Sequence, residues 1–233
     1  MYANSHTGTS VSVYETLKDQ ILHLDLLPGS SVSEIDTAEK YETSRTPVRD
    51  AFKLLERDGL LEIQPHIGTF VSLIDLQVVS NILYMREKLE QAVYKELATS
   101  HDRSQDFRVR MILQQQRDMM DQALPNEELS RAFTTSDNAF HRTLYDLAGK
   151  SAVMDFISSI QSQYERFRTF LKFNDREYLL RLCNDHRHIW EAIIAQDYEN
   201  LAGLISHHIY DGFNSNADAV VRQHPEYFKS PPV

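Results

Sequence analysis

The chain is poor in the residues that build disulfide frameworks and loop-rich folds. Its 233 residues include one cysteine, seven glycines and seven prolines. A lone Cys183 excludes an internal disulfide and a thiolate metal cluster, and the scarcity of glycine and proline argues against a loop-rich all-β chain. The first ten residues lack the basic and apolar regions of a signal peptide, and no apolar run approaches the length of a membrane span. We therefore expect a mostly helical, cytoplasmic protein, with two domains favoured over one.

Positive charge is also scarce. The formal net charge is −10, and residues 1–75 hold six Lys and Arg against twelve Asp and Glu. This balance does not favour nucleic-acid binding, but a phosphate-binding surface needs only local positive charge. What matters is whether the few cations share one face of an element.

The first part of the chain combines three helical patterns with a short hairpin. Apolar residues recur at helical spacing, Gly59 stands where a left-handed C-cap is expected, and Pro65, His66 and Gly68 mark a turn between two strand patterns. This order predicts a winged helix-turn-helix over 11–73, after a disordered N-terminus over 1–10. The predicted elements are helices over 11–23, 33–41 and 44–58 and strands over 60–63 and 69–72.

The rest of the chain shows long amphipathic stretches and no further strand pattern. Short connections between such stretches favour antiparallel neighbours in a helical bundle. We predict a helical domain over 76–222 and a flexible tail over 223–233. The fold class is thus mainly α, a winged helix-turn-helix followed by an all-helical antiparallel bundle. The predicted helices span 76–100, 103–123, 126–148, 151–173, 176–195 and 197–221.

The third helix carries a basic stripe of Arg45, Arg49 and Lys53, separate from its apolar stripe. Both arginines fall in the first turns, where backbone N–H groups lack internal partners and a Thr43 or Ser44 cap is possible. Such a terminus can engage phosphate and base edges, as a recognition helix does on entering a major groove. The alternative is that the stripe is merely the solvated face of an amphipathic helix.

Four ordered motifs resemble those of the GntR regulators: LPG after the first helix, SRTPVRDAF on the third, DGLL after it and GTFV in the wing. The resemblance runs from Val13 to Ser72 and implies a homodimer on a palindromic double-stranded operator. The wing departs from the pattern, with Ile67 where relatives often carry arginine. The DNA-binding residues implied or favoured here are Ser44, Arg45, Thr46, Arg49, Lys53, His66 and Gly68.

A second constellation combines one carboxylate with several imidazoles. Asp137 and His141 are four residues apart and share a helical face. Helical phase favours His186 over His188 and His208 over His207 as residues that point inward. An aspartate with three neutral imidazoles suits a divalent ion such as Zn²⁺ or Ni²⁺. The alternative is that these are surface or hydrogen-bonded core histidines.

The region from Leu76 to Val221 resembles the helical FCD domain of the FadR branch of GntR regulators. The motifs that carry the likeness are MREKLE, DNAFHRTLYDLAG, DHRHIWEAI and DYENLAGLISHHI. The resemblance implies that the metal ligands are Asp137, His141, His186 and His208. For binding an anionic effector, the candidates are Arg86, ranked first because the resemblance reaches it, then Arg166, Arg168, Tyr145 and Tyr164. The alternatives are that these arginines form exposed salt bridges and that the tyrosines simply pack.

The leading hypothesis is a ligand-responsive transcriptional regulator, with repression as the expected output. In it, a small organic acid completes the coordination of the metal and alters operator binding. The rival is a metal-dependent enzyme built on a helical bundle, for which no base, nucleophile or second metal site is identifiable. A third possibility is a regulator that senses the metal itself.

Overall fold

The computed structural model describes residues 5–100, 102–172 and 176–229, which form ten α-helices and one two-stranded sheet. The chain divides into two compact units. The first comprises the described residues of Met1–Val79, Ser159–Thr169 and Val221–Val233, and the second those of Ser80–Ser158 and Phe170–Val220. Among the described residues, no helix combines the length and apolar character needed to cross a bilayer.

The first unit contains the winged helix-turn-helix that the sequence predicts. Its strands pair antiparallel, with Leu61 opposite Val71 and Gln64 opposite Gly68. One stripe of the third helix is buried and packs into a core with the first helix and the hairpin, which leaves the basic stripe facing outward. The elements are α1 (Ser5–Leu22), α2 (Glu34–Lys40), α3 (Arg45–Arg57), β1 (Leu61–Gln64) and β2 (Gly68–Val71).

Local geometry marks the start of α2 and the end of α3. The Ser33 side chain accepts hydrogen bonds from the amides of Ile35 and Asp36 at the start of α2. Ser44, one of the two residues considered as a cap, stands at the N-cap of α3 but makes no side-chain cap bond. Gly59 follows α3 with φ +70°, the left-handed conformation predicted for it.

The start of α1 corrects the prediction of a disordered segment over 1–10. The helix begins at Ser5, so residues 5–10 are helical, whereas residues 1–4 lie outside the described residues. Ser and Thr, which recur in this stretch, have low helix propensity. Propagation adds one hydrogen bond per residue once a helix has nucleated, and the buried Val13 and Leu17 anchor this one.

Within the part of the chain that the structure describes, seven α-helices follow the wing, where the sequence predicts six. The predicted helix over 151–173 is broken at Gln161, whose carbonyl accepts the amide of Glu165 and so begins a new helix. No proline or glycine marks this break. In the second unit, α5 packs against α6 and α9, and α6 packs against α9. The helices are α4 (Leu76–Ser100), α5 (Arg103–Asp121), α6 (Asn126–Leu147), α7 (Ser151–Ile160), α8 (Ser162–Lys172), α9 (Arg176–Ala195) and α10 (Tyr198–Gln223).

The C-terminal segment corrects the prediction of a flexible tail over 223–233. After α10, a short 3₁₀ helix spans Pro225–Tyr227 and Phe228 is buried in the first unit. The amide of Ile74 donates to the carbonyl of Tyr227, and the amide of Lys229 donates to the carbonyl of Ile74, both at 2.9 Å. The partners are far apart in sequence, so local composition did not reveal them. Residues 230–233 lie outside the described residues.

Candidate metal centre and DNA-reading face

The outward face of α3 and the tip of the hairpin carry every residue predicted to meet DNA. The side chains of Arg45 and Arg49 are 57% and 53% exposed, so over half of each is accessible to a partner. Lys53 is also exposed, and its nearest carboxylate oxygen, on Asp50, lies 3.9 Å away. The remaining predicted residues, all exposed, are Ser44, Thr46, His66 and Gly68.

A single carboxylate on α2 joins the two arginines. Glu34 Oε2 accepts from Nη2 of Arg45 at 3.2 Å and from Nη2 of Arg49 at 3.1 Å, and its Oε1 accepts from Nε of Arg49 at 3.2 Å. The hydrogen bond from Arg49, together with that from Arg45, holds the pKa of Glu34 below its ordinary value, although partial burial opposes this. The sequence did not reveal this pairing, because it depends on how α2 and α3 pack.

In the second unit, four side chains from three helices converge. Asp137 and His141 come from α6, His186 from α9 and His208 from α10, and one potential ligand atom of each lies within 4.8 Å of the others. All four residues are buried. Nε2 of His208 lies 3.3 Å from Nε2 of His141, and Nε2 of His186 lies 3.4 Å from Oδ1 of Asp137. The exposed His188 and His207 take no part.

In two of these imidazoles, the ring nitrogen that faces away from the cluster, Nδ1, contacts a buried polar group. Nδ1 of His186 lies 2.9 Å from Oε1 of Gln116, whose amide nitrogen donates to the Ser136 carbonyl at 3.2 Å. Nδ1 of His141 lies 2.9 Å from the Tyr94 hydroxyl. With the proton assigned to Nδ1 in each ring, the Nε2 lone pair faces the centre of the cluster. Outer partners of this kind orient the ligands of a metal ion.

The third imidazole has an acidic outer neighbour. Nδ1 of His208 lies 3.5 Å from Oδ2 of Asp185. Among the described residues, neither Nδ1 of His208 nor Nε2 of His186 has a hydrogen-bond partner, and both atoms are buried. A buried nitrogen left without a partner is costly unless something binds it. The donor set of three imidazole nitrogens and one carboxylate oxygen therefore fits a divalent metal ion.

Burial favours the neutral form of His141 and His186. It lowers the pKa of His186 to about 3 and also lowers the pKa of His141, where the Glu90 carboxylate opposes the effect. The ring of Phe140 stacks on His186 at 4.2 Å between centroids. Neutral imidazole is the form that binds metal ions, so these rings can act as ligands without first losing a proton.

A buried ion pair lies behind His141. Both Nε and Nη2 of Arg86 bond Oε1 of Glu90, at 2.9 and 2.8 Å, and Oε2 of Glu90 lies 3.1 Å from Nδ1 of His141. Burial by itself raises the pKa of Glu90, but Arg86 and then His141 outweigh it and hold that pKa well below its ordinary value. Arg86, predicted as an effector ligand, is thus already paired with the carboxylate of Glu90.

The other predicted effector residues fall in different places. Tyr145 is fully buried in the second unit, edge-to-face with Tyr94 at 6.0 Å, and its hydroxyl has no hydrogen-bond partner among the described residues. Arg166 belongs to the first unit, where it donates to the carbonyl of Ser72 at 2.6 Å, and burial lowers its pKa to about 10. Arg168 and Tyr164 also belong to that unit, and Arg168 pairs there with Glu165.

Sequence reasoning missed several residues that support these sites. Glu90 stands four residues after Arg86 in the MREKLE motif, a spacing that signals an ion pair on one helix face. Gln116 and Tyr94 carry no comparable signal, because their partners lie 70 and 47 residues away along the chain.

A winged helix-turn-helix followed by an all-helical unit is the architecture of a class of DNA-binding transcriptional regulators. Residues 9–71 match the family described as bacterial regulatory proteins, gntR family, and residues 81–211 match the FCD domain. The chain belongs to the gntR family and carries an FCD domain. Domains of this type often bind metals.

Relatives and solved structures agree with this assignment. The chain is 29% identical over 199 residues to the HTH-type transcriptional repressor RspR of Escherichia coli K12, covering 85% of each chain. It is 30% identical to an HTH-type regulator of Streptomyces ambofaciens, covering 79% of this chain and 75% of that one. The protein is therefore a DNA-binding transcriptional regulator and not an enzyme.

The fold also matches solved regulators. Escherichia coli McbR/YncC superposes with a TM-score of 0.70 at 16% identity, covering 93% of this chain and 98% of that one. A GntR regulator from Rhodococcus sp. RHA1 superposes with a TM-score of 0.69 at 21% identity, covering 90% and 98%. At these identities the likeness establishes the fold alone, which confirms the predicted fold class.

Proposed function

We propose that this regulator binds a palindromic operator as a homodimer and represses transcription until a small carboxylate reaches a metal ion in its FCD domain. The observation that carries the proposal is the convergence of three imidazole nitrogens and one carboxylate oxygen within 4.8 Å, in a fully buried setting. Repression is favoured because the relative from Escherichia coli K12 is described as a repressor.

The proposed metal ligands are Asp137, His141, His186 and His208. Three nitrogen donors and one oxygen donor suit Zn²⁺ or Ni²⁺ better than the oxygen-preferring Mg²⁺ or Ca²⁺. When bound, such an ion supplies the positive charge that attracts an anionic ligand. Gln116 orients the ring of His186, and Tyr94 and Glu90 orient the ring of His141.

The effector is proposed to bind beside this cluster. The Tyr145 hydroxyl supports this, because it is buried in the same unit and lacks a protein partner among the described residues. Arg86 supplies positive charge nearby, although Glu90 already shares that charge. The proposed effector site does not include Arg166, because the guanidinium of Arg166 donates its hydrogen bonds to Ser72 in the first unit.

On the DNA side, Arg45 and Arg49 are proposed to read bases from the N-terminal turns of α3. Arginine recognises guanine through two parallel N–H donors, and both side chains are more than half exposed. Ser44, Thr46 and Lys53 are proposed to contact phosphates. His66 and Gly68, at the tip of the wing, are proposed to contact the minor groove.

The test uses a duplex that the metal-loaded chain enriches from a random-sequence pool. The dissociation constant of the protein–duplex complex is measured for metal-loaded and for chelator-treated protein, each with a panel of sugar acids, amino acids and dicarboxylates. The same measurements are made on His186→Ala and on the exposed control His188→Ala. The proposal predicts that one class of acid weakens binding by the loaded wild type and by His188→Ala, but not by His186→Ala. If adding the metal to chelator-treated protein weakens DNA binding without any acid, the ion itself is the signal. No response to acid or metal contradicts the proposal.

A further inference from the structure

We propose that Glu34 is a positioning residue for DNA recognition: it holds Arg45 and Arg49 in the arrangement that reads bases and lowers the affinity for non-operator DNA. This inference rests on the proposed role of the two arginines. The proposed role is in selectivity. A carboxylate beside two DNA-reading arginines repels phosphates, and we propose that it also improves discrimination between sequences.

The geometry is that of one acceptor shared by two donors. Oε2 of Glu34 receives one N–H from each guanidinium, and Oε1 receives a second from Arg49. Arg49 is therefore held along the side of its guanidinium that carries Nε and Nη2. Arg45 is tied to the same oxygen, so the positions of the two arginines depend on each other.

The pairing leaves the arginines able to bind a base. A guanidinium has five N–H donors. Arg49 uses two on Glu34 and keeps three, including those on the terminal edge formed by Nη1 and Nη2, while Arg45 uses one and keeps four. Because each side chain is more than half exposed, a guanine could be bound through the free edge while Glu34 stays in place.

Glu34 is itself well placed to act as a fixed support. It begins α2 directly after the capping Ser33, and its side chain is only 24% exposed, much less than either arginine. Long arginine side chains lose considerable rotamer entropy when a complex orders them. A carboxylate that restricts them beforehand reduces this loss in a specific complex.

The same negative charge acts against binding that depends on phosphates alone. Non-specific affinity comes almost entirely from the neutralisation of phosphate charge, and Glu34 cancels part of the charge of the two arginines. Positioning therefore favours the operator, while the charge disfavours other sequences. Together the two effects raise the ratio of specific to non-specific affinity.

The experiment measures the dissociation constants of full-length variants for two duplexes across a salt series. One is the duplex enriched from the random pool by the wild type, and the other is a scrambled duplex of the same composition. Glu34→Gln removes the charge, and Glu34→Asp keeps it on a side chain one methylene shorter. Glu39→Gln makes the same charge change at an exposed position of the same helix. Thermal melting checks that each variant is folded.

The proposal predicts that Glu34→Gln binds the enriched duplex about ten-fold more weakly, a loss within the range of one bidentate contact, while binding the scrambled duplex more tightly. Glu34→Asp should lose affinity for the enriched duplex without gaining it for the scrambled one. Glu39→Gln should not lower the ratio of affinity for the enriched duplex to affinity for the scrambled duplex. Equal gains on both duplexes for Glu34→Gln, or no difference from Glu39→Gln, would overturn the proposal. Arg49→Ala, measured in parallel, tests the arginine role separately: if it binds normally, the proposed function fails first.

Discussion

Arg86 and Glu90 lie one turn apart on α4 and form an ion pair at 2.8 Å with both side chains almost fully buried, at 6% and 1% exposure. The second oxygen of Glu90 faces His141, so this pair forms the layer behind one candidate metal ligand. A buried pair is costly to break from one side, because removing one partner leaves the other charge unpaired.

Arg86→Leu should therefore destabilise the metal-free protein by about 3–5 kcal/mol, measured by urea unfolding. The double variant Arg86→Leu/Glu90→Leu should recover most of this loss, since neither charge then remains buried. Arg187→Leu, which breaks an exposed pair with Glu191 at the same spacing, should change stability far less. A double variant no more stable than Arg86→Leu would contradict the expectation.

The histidines offer two matched pairs for testing the metal site. His186→Ala and His208→Ala should abolish retention of the ion after dialysis, because each removes a buried donor, whereas the exposed neighbours His188→Ala and His207→Ala should retain it. The measurement is metal content per protein chain by elemental analysis. Chelation should lower the melting temperature of the retaining variants only. Equal metal content in all four variants would place the ion elsewhere.

Gln116 should raise the metal affinity indirectly, by orienting the ligand His186. Gln116→Leu removes the group that orients Nδ1 of His186, and loss of such an outer partner typically weakens metal binding about 10–100-fold. Gln114→Leu, two residues earlier on the exposed side of α5, is the control. Competition with a chromophoric chelator gives both affinities. If the two variants bind metal equally well, Gln116 does not orient His186.

The C-terminal segment should stabilise the first unit. A chain ending at His224 loses the buried Phe228 and both hydrogen bonds to Ile74, so amide hydrogen exchange at Ile74 should accelerate. A chain ending at Lys229 keeps these contacts and should exchange at the wild-type rate. The same exchange rate at Ile74 in both shortened chains would show that the segment does not hold this position.

What the sequence predicts correctly is encoded locally. The basic and apolar stripes of α3, the left-handed Gly59 and the turn between β1 and β2 all follow from neighbouring residues. The structure places the ends of α3, β1 and β2 within one residue of their predicted bounds. The convergence of Asp137, His141, His186 and His208 was predictable from helical phase together with a family resemblance. Their binding of a metal remains a prediction.

What the sequence does not predict depends on contacts between distant segments. The break at Gln161 carries no proline or glycine, and Phe228 looks like part of a polar, proline-rich tail until Ile74 and Phe167 pack beside it. Arg166 resembles an anion ligand, yet its guanidinium binds the Ser72 carbonyl. The Glu34 pairing likewise arises only once α2 and α3 are packed together.

The most direct test of the account is the affinity of Arg49→Ala for the enriched duplex, measured by fluorescence anisotropy across a salt series. Arg57→Ala, which removes a 74% exposed arginine from the far end of α3, is the control. We predict that Arg49→Ala binds about ten-fold or more weakly at physiological salt and that Arg57→Ala stays close to the wild type. Wild-type affinity in Arg49→Ala would contradict the claim that this side chain reads the operator.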